Sequence, residues 1–505
     1  MRINAFAYLI IALMLIASCG RTTETVVIRS EPAAMATPAP EQIDDDRETR
    51  PAERNQLRYG EWQKISSLDP LFASNTASRR AVQLIYEGLV RFDEQGNIVP
   101  AHAKRWQADS DSLAWTITID RNRFFHDDES FITGQGRRVT AGDYKRSFER
   151  MASPDVPSDA AELFREVIFG FDAYFMEQRN LRPGKTPNYT QVEGIIAQND
   201  STLRIELNRK DPHFLQRLAS PYAVVYPMEA VRHHSALHRN PVGSGPFSLR
   251  SVTGDSLFVL NRFTRYAGSS PGGINRIEIH TIDNESRLYR SLATNRIDLI
   301  PELGPLSLQG LVDEDGELRA SFQDRYRLIP LGQKSWEIAY NPLNRFDITM
   351  EQAGSVLQNI PFGELTDSLN IPMLKIESTP PAFGSEGFEA VKRRFPESVS
   401  RRNVLLMNYP DYESGYIANA IALILRNDIN VMTINTPKPG IDVLFITRRM
   451  FQDPGGDLNT AGSQTLTTIT VPRFAVSLRN IDGIRFNRFD WWMNISQIDR
   501  TTVQS

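Results

Sequence analysis

The sequence predicts an α/β protein of two or more lobes. Strand and helix patterns interleave along the chain instead of segregating into halves. A length of 505 residues is enough for two or three domains. Hydrophobic and charged contents of 41% and 23% are those of an ordinary globular protein. No apolar run beyond the first one is long enough for a transmembrane helix.

The first element reads as a leader. Ala5 to Leu15 is almost unbroken by polarity, with one charge before it at Arg2, and Ile16-Ala17-Ser18-Cys19-Gly20 closes it with small residues. That length suits a signal-peptide core and is short for a bilayer span. Cys19 is the only cysteine, so no disulfide supports the chain and its stability has to come from packing. The order Ile-Ala-Ser-Cys resembles the lipobox of bacterial lipoproteins, which implies removal of residues 1–18 and lipidation of Cys19. Residues 19–56 are rich in Pro, Ala and charge, lack aromatic residues, and are expected to be a disordered tether.

The body is expected to begin near Leu57. Leu113, Trp115, Ile117 and Ile119 alternate as a period-2 strand. Thr140-Ala-Gly-Asp143 reads as a capping box with Asp in place of Glu, followed by Tyr144, Phe148 and Met151 on one helical face. Tyr86, Leu89 and Val90 read as helix core. Leu257–Asn261 and Ile277–Ile282 read as strands separated by a Gly/Ser/Pro loop at 268–273. Tyr416–Arg426 reads as a helix and Ile429–Ile434 as the strand after it. There is no internal repeat.

Several landmarks stand in a recognisable order: Ser67-Leu68-Asp69-Pro70, Tyr86-Glu87-Gly88-Leu89-Val90, Val99-Pro100-Ala101, Phe125-His126-Asp127, Val139 to Tyr144, Pro241-Val242-Gly243-Ser244-Gly245-Pro246-Phe247 and Ile297-Asp298-Leu299. Together they resemble the opening of the extracytoplasmic solute-binding proteins of peptide and nickel ABC importers (family 5). The resemblance implies a two-lobed venus-flytrap of the type II periplasmic-binding-protein class. Lobe I would span 57–330 with an inserted subdomain at about 86–219, lobe II 331–474, and a return segment 475–505. It also implies a hinge where Leu331–Asn341 and Met450–Arg473 cross between lobes. Physics reads the glycines of the Pro241–Phe247 segment independently as positive-φ turn positions, shaping the first lobe without touching ligand.

In the second half the resemblance thins. Trp336 to Asn341 matches the crossing strand, but the helix at Met350–Gly354 lacks an arginine usual in the family, and a long helical stretch is nearly absent between Asp457 and Thr470, so a shortened second lobe is expected. The cleft implied by the resemblance includes Ser74, Asn75, Tyr340, Asn341, Thr447, Arg448, Arg449, Met450 and Asp453. Peptide-binding relatives place a tryptophan and an ammonium-binding aspartate at the positions held here by Thr447 and Met450. Arg448 and Arg449 stand beside that vacancy. A buried ammonium without a carboxylate is costly. Either arginine facing the cleft would favour an anionic or amine-blocked ligand. The alternative is a strand whose side chains alternate faces, with one arginine in solvent.

Other chemistry is thin. Gly268-Ser269-Ser270-Pro271-Gly272 matches a nucleophile elbow by letter, but Pro271 has no N–H for an oxyanion hole. His233, His234 and His238 cluster, with His234 and His238 four apart and no acid or cysteine beside them in sequence, so no metal site is expected. Trp491-Trp492 reads as core or lobe surface. A net charge of -4 argues against nucleic acid. The expected protein is therefore a non-enzymatic, monomeric binder without cofactor. It would be lipid-anchored outside the cytoplasm, facing periplasm or cell exterior, and would take a peptide-like or other small polar solute to an ABC permease. The other function class is a lipoprotein that keeps this scaffold as a sensor or envelope interaction partner. Neighbouring permease and ATPase genes would separate the two.

Overall fold

The computed structural model describes residues 55–182, 184–268, 273–340, 347–371, 373–378, 385–394, 405–408, 412–434, 444–449 and 464–500. The leader, Cys19 and the tether lie outside them, as does the stretch between Asp457 and Gln464. Among the described residues no helix is long and apolar enough to cross a membrane.

β1 (Gln56–Glu61) opens the body and is buried from Leu57 onward. A subdomain follows. In it β2 (Val90–Phe92) and β3 (Ile98–Pro100) pair as a hairpin. β4 (Ala103–Ala108), β5 (Ala114–Ile119), β6 (Ile195–Asn199) and β7 (Thr202–Glu206) form an antiparallel sheet in the order β4-β5-β7-β6. Ile117 and Ile119 of β5 are buried as their period predicts, whereas Leu113 lies just outside the strand and is exposed. The helix Ala141–Arg150 begins at the expected capping box, where the Thr140 N–H and hydroxyl donate to the Asp143 carboxylate at 2.9 and 2.8 Å. Its Tyr144 and Phe148 are buried, as is Met151 just beyond it.

β8 (Phe247–Thr253), β9 (Leu257–Arg262) and β10 (Arg276–Thr281) continue as an antiparallel run. β10 is parallel to β1, and the short β11 (Leu299–Ile300) is parallel to β1 on its other side. β12 (Tyr326–Tyr340) leads into the second lobe, where β13 (Lys375–Ser378), β14 (Leu405–Asn408), β15 (Val431–Ile434) and β16 (Leu444–Arg449) alternate with helices, and β17 (Gln464–Leu478) returns. One sheet of eleven described strands results, ordered β15-β14-β16-β12-β17-β11-β1-β10-β9-β8, with β13 beside β17.

Two hydrophobic cores flank this sheet. The first gathers residues from Leu57 to Ile279 and takes in the C-terminal segment from Ile481 to Ile498. Trp491 and Trp492 are core residues there, and the Trp492 indole N–H donates to the Phe92 carbonyl at 3.1 Å. The second core takes in Trp62 and residues from Leu288 to Val476.

The landmark segments have physical roles in the first lobe. Asp298 is fully buried and accepts from the Arg58 N–H at 2.8 Å and the Arg58 guanidinium at 2.9 Å, joining β11 to β1. Gly243 and Gly245 do not adopt left-handed φ. They are needed because a Cβ on Gly243 would stand 2.0 Å from the Ile85 carbonyl oxygen, and one on Gly245 2.7 Å from its carbon. His126 locks the same turn: its N–H donates to the Gly243 carbonyl at 2.8 Å and its Nε2 lies 3.0 Å from the Gly245 carbonyl. Tyr86, Leu89 and Val90 are buried, yet they are not helical. The helix Thr76–Ile85 stops before Tyr86, whose backbone is extended, and Gly88 bridges to Val224 before β2 begins.

Candidate ligand-binding cleft

The two long strands are the natural place for a site, because both run along the second core while Leu331 of β12 and Ala475 of β17 reach into the first. Tyr326–Pro330 of β12 pairs with Leu478–Phe474 of β17, next to β11. Gly332–Tyr340 pairs with Arg473–Gln464, next to β16. The register breaks between Pro330 and Gly332, where Gly332 has φ 91, and again between Ile338 and Ala339. A bulge bends and twists a strand locally, and the positive φ at the first break favours glycine.

Beside the first break lies a buried ionic cluster. Lys334 on β12 and Arg473 on β17 both meet Glu302, at 3.0 Å for Lys334 Nζ and 3.4 Å for Arg473 Nε. From the first lobe Arg80, on the helix Thr76–Ile85, approaches Glu302 at 3.8 Å and donates to the Asp490 carbonyl at 2.8 Å. Arg80 also pairs with Glu61 at the end of β1. None of these five side chains is more than 7% exposed. Burial opposes the Arg80 cation, but Glu61 and Glu302 outweigh it and raise its pKa. Charges this far from water hold only in good geometry, so the cluster fixes how the first lobe meets the crossing strands.

Ser74 is exposed, and its hydroxyl lies 3.4 Å from that of Ser66. Asn75 is the N-cap of the Thr76–Ile85 helix. Its side-chain oxygen accepts from the Ser78 N–H at 2.9 Å and its amide donates to the Lys64 carbonyl at 2.8 Å, so both ends hold local structure. Tyr340 ends β12, buried, with its hydroxyl donating to the Ile348 carbonyl at 2.7 Å. Thr447, Arg448 and Arg449 stand on β16 in register with Glu337, Trp336 and Ser335 of β12, so this segment is a strand. Asn341, Met450 and Asp453 lie outside the described residues. The structure thus places Tyr340 and Thr447–Arg449 on adjacent strands, and Ser74 and Asn75 just before the first turn of the first-lobe helix that carries Arg80.

Residues 97–332 match the model of the bacterial extracellular solute-binding proteins, family 5, middle region. Over that stretch, a little under half of its length, the chain is similar to that family. It is 25% identical over 260 residues to the periplasmic oligopeptide-binding protein of Salmonella typhimurium, which covers 51% of this chain and 45% of that one. It is 25% identical over 259 residues to the dipeptide-binding protein of Bacillus subtilis (50% and 43%), and 26% over 238 residues to the heme-binding protein A of Haemophilus influenzae (46% and 40%). The matched stretch spans less than half the length of each of these relatives. Among solved structures, a peptide-bound oligopeptide-binding protein of Listeria monocytogenes superposes with TM-score 0.66 at 15% identity, covering 90% of this chain and 100% of that one. A periplasmic binding protein of A. tumefaciens in complex with agropinic acid gives 0.65 at 13% identity, covering 89% and 99%. At these identities the structures speak to fold: a two-lobed type II periplasmic-binding-protein architecture.

The ionic cluster at the junction was not legible in the sequence as a site. Its partners are far apart in sequence, with Glu302 and Arg473 separated by 171 positions. One local signal exists. Arg80 shares a helix with Ala77, Ala81 and Leu84, all buried, and a charge among apolar helix positions marks a buried ion with a distant partner.

Proposed function

We propose that this chain is a family 5 solute-binding protein that captures a peptide-like or other small polar solute between its lobes and delivers it to an ABC permease. The observation that carries the reading is the β12/β17 ribbon, which runs along the second core and is interrupted by a bulge at Pro330–Gly332, where Leu331 packs into the first core. Two-lobed binders close by hinge motion around a ligand, and a few residues at element breaks absorb the dihedral change. The relatives named as oligopeptide- and dipeptide-binding proteins support the solute class. The cleft residues on this reading are Ser74, Asn75, Tyr340, Asn341, Thr447, Arg448, Arg449, Met450 and Asp453. With Met450 where an acid would hold an ammonium, the preferred ligand is anionic or amine-blocked.

Mass spectrometry of what co-purifies with the protein, followed by calorimetry with free and N-acetylated peptides and organic acids, tests this. Small-angle scattering with the binding ligand should show compaction. Tight binding of free-amine peptides, unchanged by Arg448→Ala or Arg449→Ala, would sink the charge assignment. Absence of binding to any small solute would sink the function. Cys19 is the proposed anchor, so Cys19→Ala should leave an uncleaved or soluble precursor in cell fractions. A variant processed and membrane-bound like wild type would remove the anchor from the reading.

A further inference from the structure

The sequence pairs His234 with His238 by helical spacing, but the structure separates them. The helix Met228–His233 ends before His234, and Ser235 turns the chain with φ 58. His238 departs to Ser67, with Nδ1 2.8 Å from its hydroxyl. His233 and His234 instead meet Asp128 and Glu129, two acids about a hundred residues earlier. His233 Nε2 lies 3.2 Å from Glu129 Oε1. His234 Nε2 lies 3.0 and 3.2 Å from the two Asp128 carboxylate oxygens. One ligand atom from each of Glu129, His233 and His234 falls within 4.8 Å of the others.

We propose that Asp128, Glu129, His233 and His234 form a binding site for a late first-row divalent transition metal, with Zn²⁺ as the best fit. The donors decide the class. Neutral imidazole suits zinc, nickel and copper, whereas calcium and magnesium prefer shells made of oxygen. The spacing agrees. Zinc holds nitrogen and oxygen ligands at about 2.0–2.2 Å, so neighbouring donors of a tetrahedron stand roughly 3.3–3.5 Å apart. The two loop-to-helix separations, 3.0 and 3.2 Å, are within a few tenths of that. The wider 4.8 Å spread closes by rotating His233 and Glu129, whose side chains are 46% and 76% exposed, while His234 and Asp128 are largely buried and give the fixed half of the site.

Both halves are held by contacts outside the donor set. The Asp128 N–H donates to the Gly134 carbonyl at 3.0 Å, the Phe131 N–H to the Asp128 carbonyl at 3.1 Å, and the Ser130 N–H to Asp128 Oδ1 at 2.9 Å. On the helix, Glu229 lies one turn before His233 and is clamped by Arg137 at 2.8 Å, which also grips Asp143 at 2.8 Å. Such supporting contacts orient metal ligands and tune their affinity. Metal binding would replace the imidazole–carboxylate contacts and staple the loop after Phe125 to the helix before the Gly243 turn.

The test uses the full chain without a histidine tag, stripped with chelator and equilibrated with Zn²⁺ near neutral pH. The expected result is uptake of about one equivalent, and for Co²⁺ in its place the intense visible bands of a tetrahedral site. Glu129→Ala and His233→Ala replace exposed side chains, so misfolding does not confuse the readout, and each should weaken uptake by about tenfold or more. His233→Ala combined with His234→Ala should abolish it while the metal-free circular dichroism spectrum stays that of wild type. Wild-type protein that takes up no Zn²⁺, or variants that retain it as wild type does, would overturn the site and leave four residues in ordinary ion pairs. The outcome is independent of what the cleft binds.

Discussion

Around Asp69 the first lobe holds a fully buried carboxylate between the Arg150 guanidinium, at 2.6 Å, and the N–H groups of Leu71 and Leu237, at 3.2 and 3.3 Å. The second lobe is built differently. Among the residues from 347 to 466 whose side chains are described, no charged one is buried, and the core there is carried by residues such as Val356, Leu365, Ile417 and Ile421. Apolar positions accept many residues of similar size. A buried charge accepts only a partner placed to a few tenths of an ångström. The landmark segments accordingly concentrate where polar groups are buried: Asp69, Glu87, His126, Asp143 and Asp298 are each under 9% exposed, and all precede residue 300. The family match ends at residue 332, within the crossing strand at its bulge.

If that contrast is right, the largest effect should come from Asp69. Asp69→Ala leaves Arg150 buried without its partner and is expected to cost about 3–5 kcal/mol. Ile421→Val, at a fully buried position of the second core, should cost about 0.5–1.5 kcal/mol. Urea unfolding of both variants checks the ordering. Equal midpoints would show that buried charge does not distinguish the lobes.

His126 supplies the next effect, and it depends on pH. Burial is the main cause that pushes its pKa down from 6.5 to about 4. The hydrogen bond to the Gly245 carbonyl and the nearby Asp127 oppose the drop, while Arg265 adds to it. The folded imidazole therefore stays neutral where the unfolded one takes up a proton. Its contribution is fully present above about pH 6.5 and is lost as pH falls toward 4, by at most about 3 kcal/mol. Stability measured from pH 7 to 4 should fall more steeply for wild type than for His126→Asn. Parallel pH curves for the two proteins would remove His126 as the cause.

The same contrast explains what the sequence disclosed. Local signals were readable: β9 and β10 fall within a residue of their alternation patterns, and the helix at Ala141 starts at its capping box. Tyr86-Leu89-Val90 misled because a short apolar run does not separate helix from strand, and only the close passage of residues 243–245 over Ile85 shows why the helix ends there. β12 and β17 are each 15 residues long, but proline and the bulge at Pro330–Gly332 interrupt the period that would have revealed their length. The Glu302 cluster and the Asp128–His234 contact join residues far apart in the chain, and no local pattern encodes such a meeting. Of the residues proposed for the cleft, Thr447 to Arg449 lie on a strand, one of the two arrangements the sequence left open, but the charges that fix the junction were not read from it.

Glycine substitution sharpens the comparison at a smaller scale. In the first lobe, Gly243→Ala would drive a methyl into the Ile85 carbonyl, which is backbone and does not swing away. A loss of about 1–3 kcal/mol is expected, as for other overpacked sites. Thermal unfolding would read it, and a variant as stable as wild type would mean that the turn relaxes freely.

The smallest effect should carry the opposite sign. Gly363 lies in the second-lobe helix Phe362–Leu369, exposed, with no atom within 4 Å of an added Cβ and no left-handed φ to preserve. There glycine's extra freedom in the unfolded chain works against folding and nothing in the folded chain needs it. Gly363→Ala should therefore stabilise by about 0.5–1 kcal/mol, toward the lower end because the position falls in the first helical turn. The measurement is the unfolding midpoint of this variant beside Gly243→Ala, with ligand binding as a control. One residue type, replaced by the same methyl group, should move stability down in the lobe built on close backbone contacts and up in the lobe built on apolar packing. If both variants move the midpoint the same way, tolerance follows local space alone and the two lobes are not built on different principles.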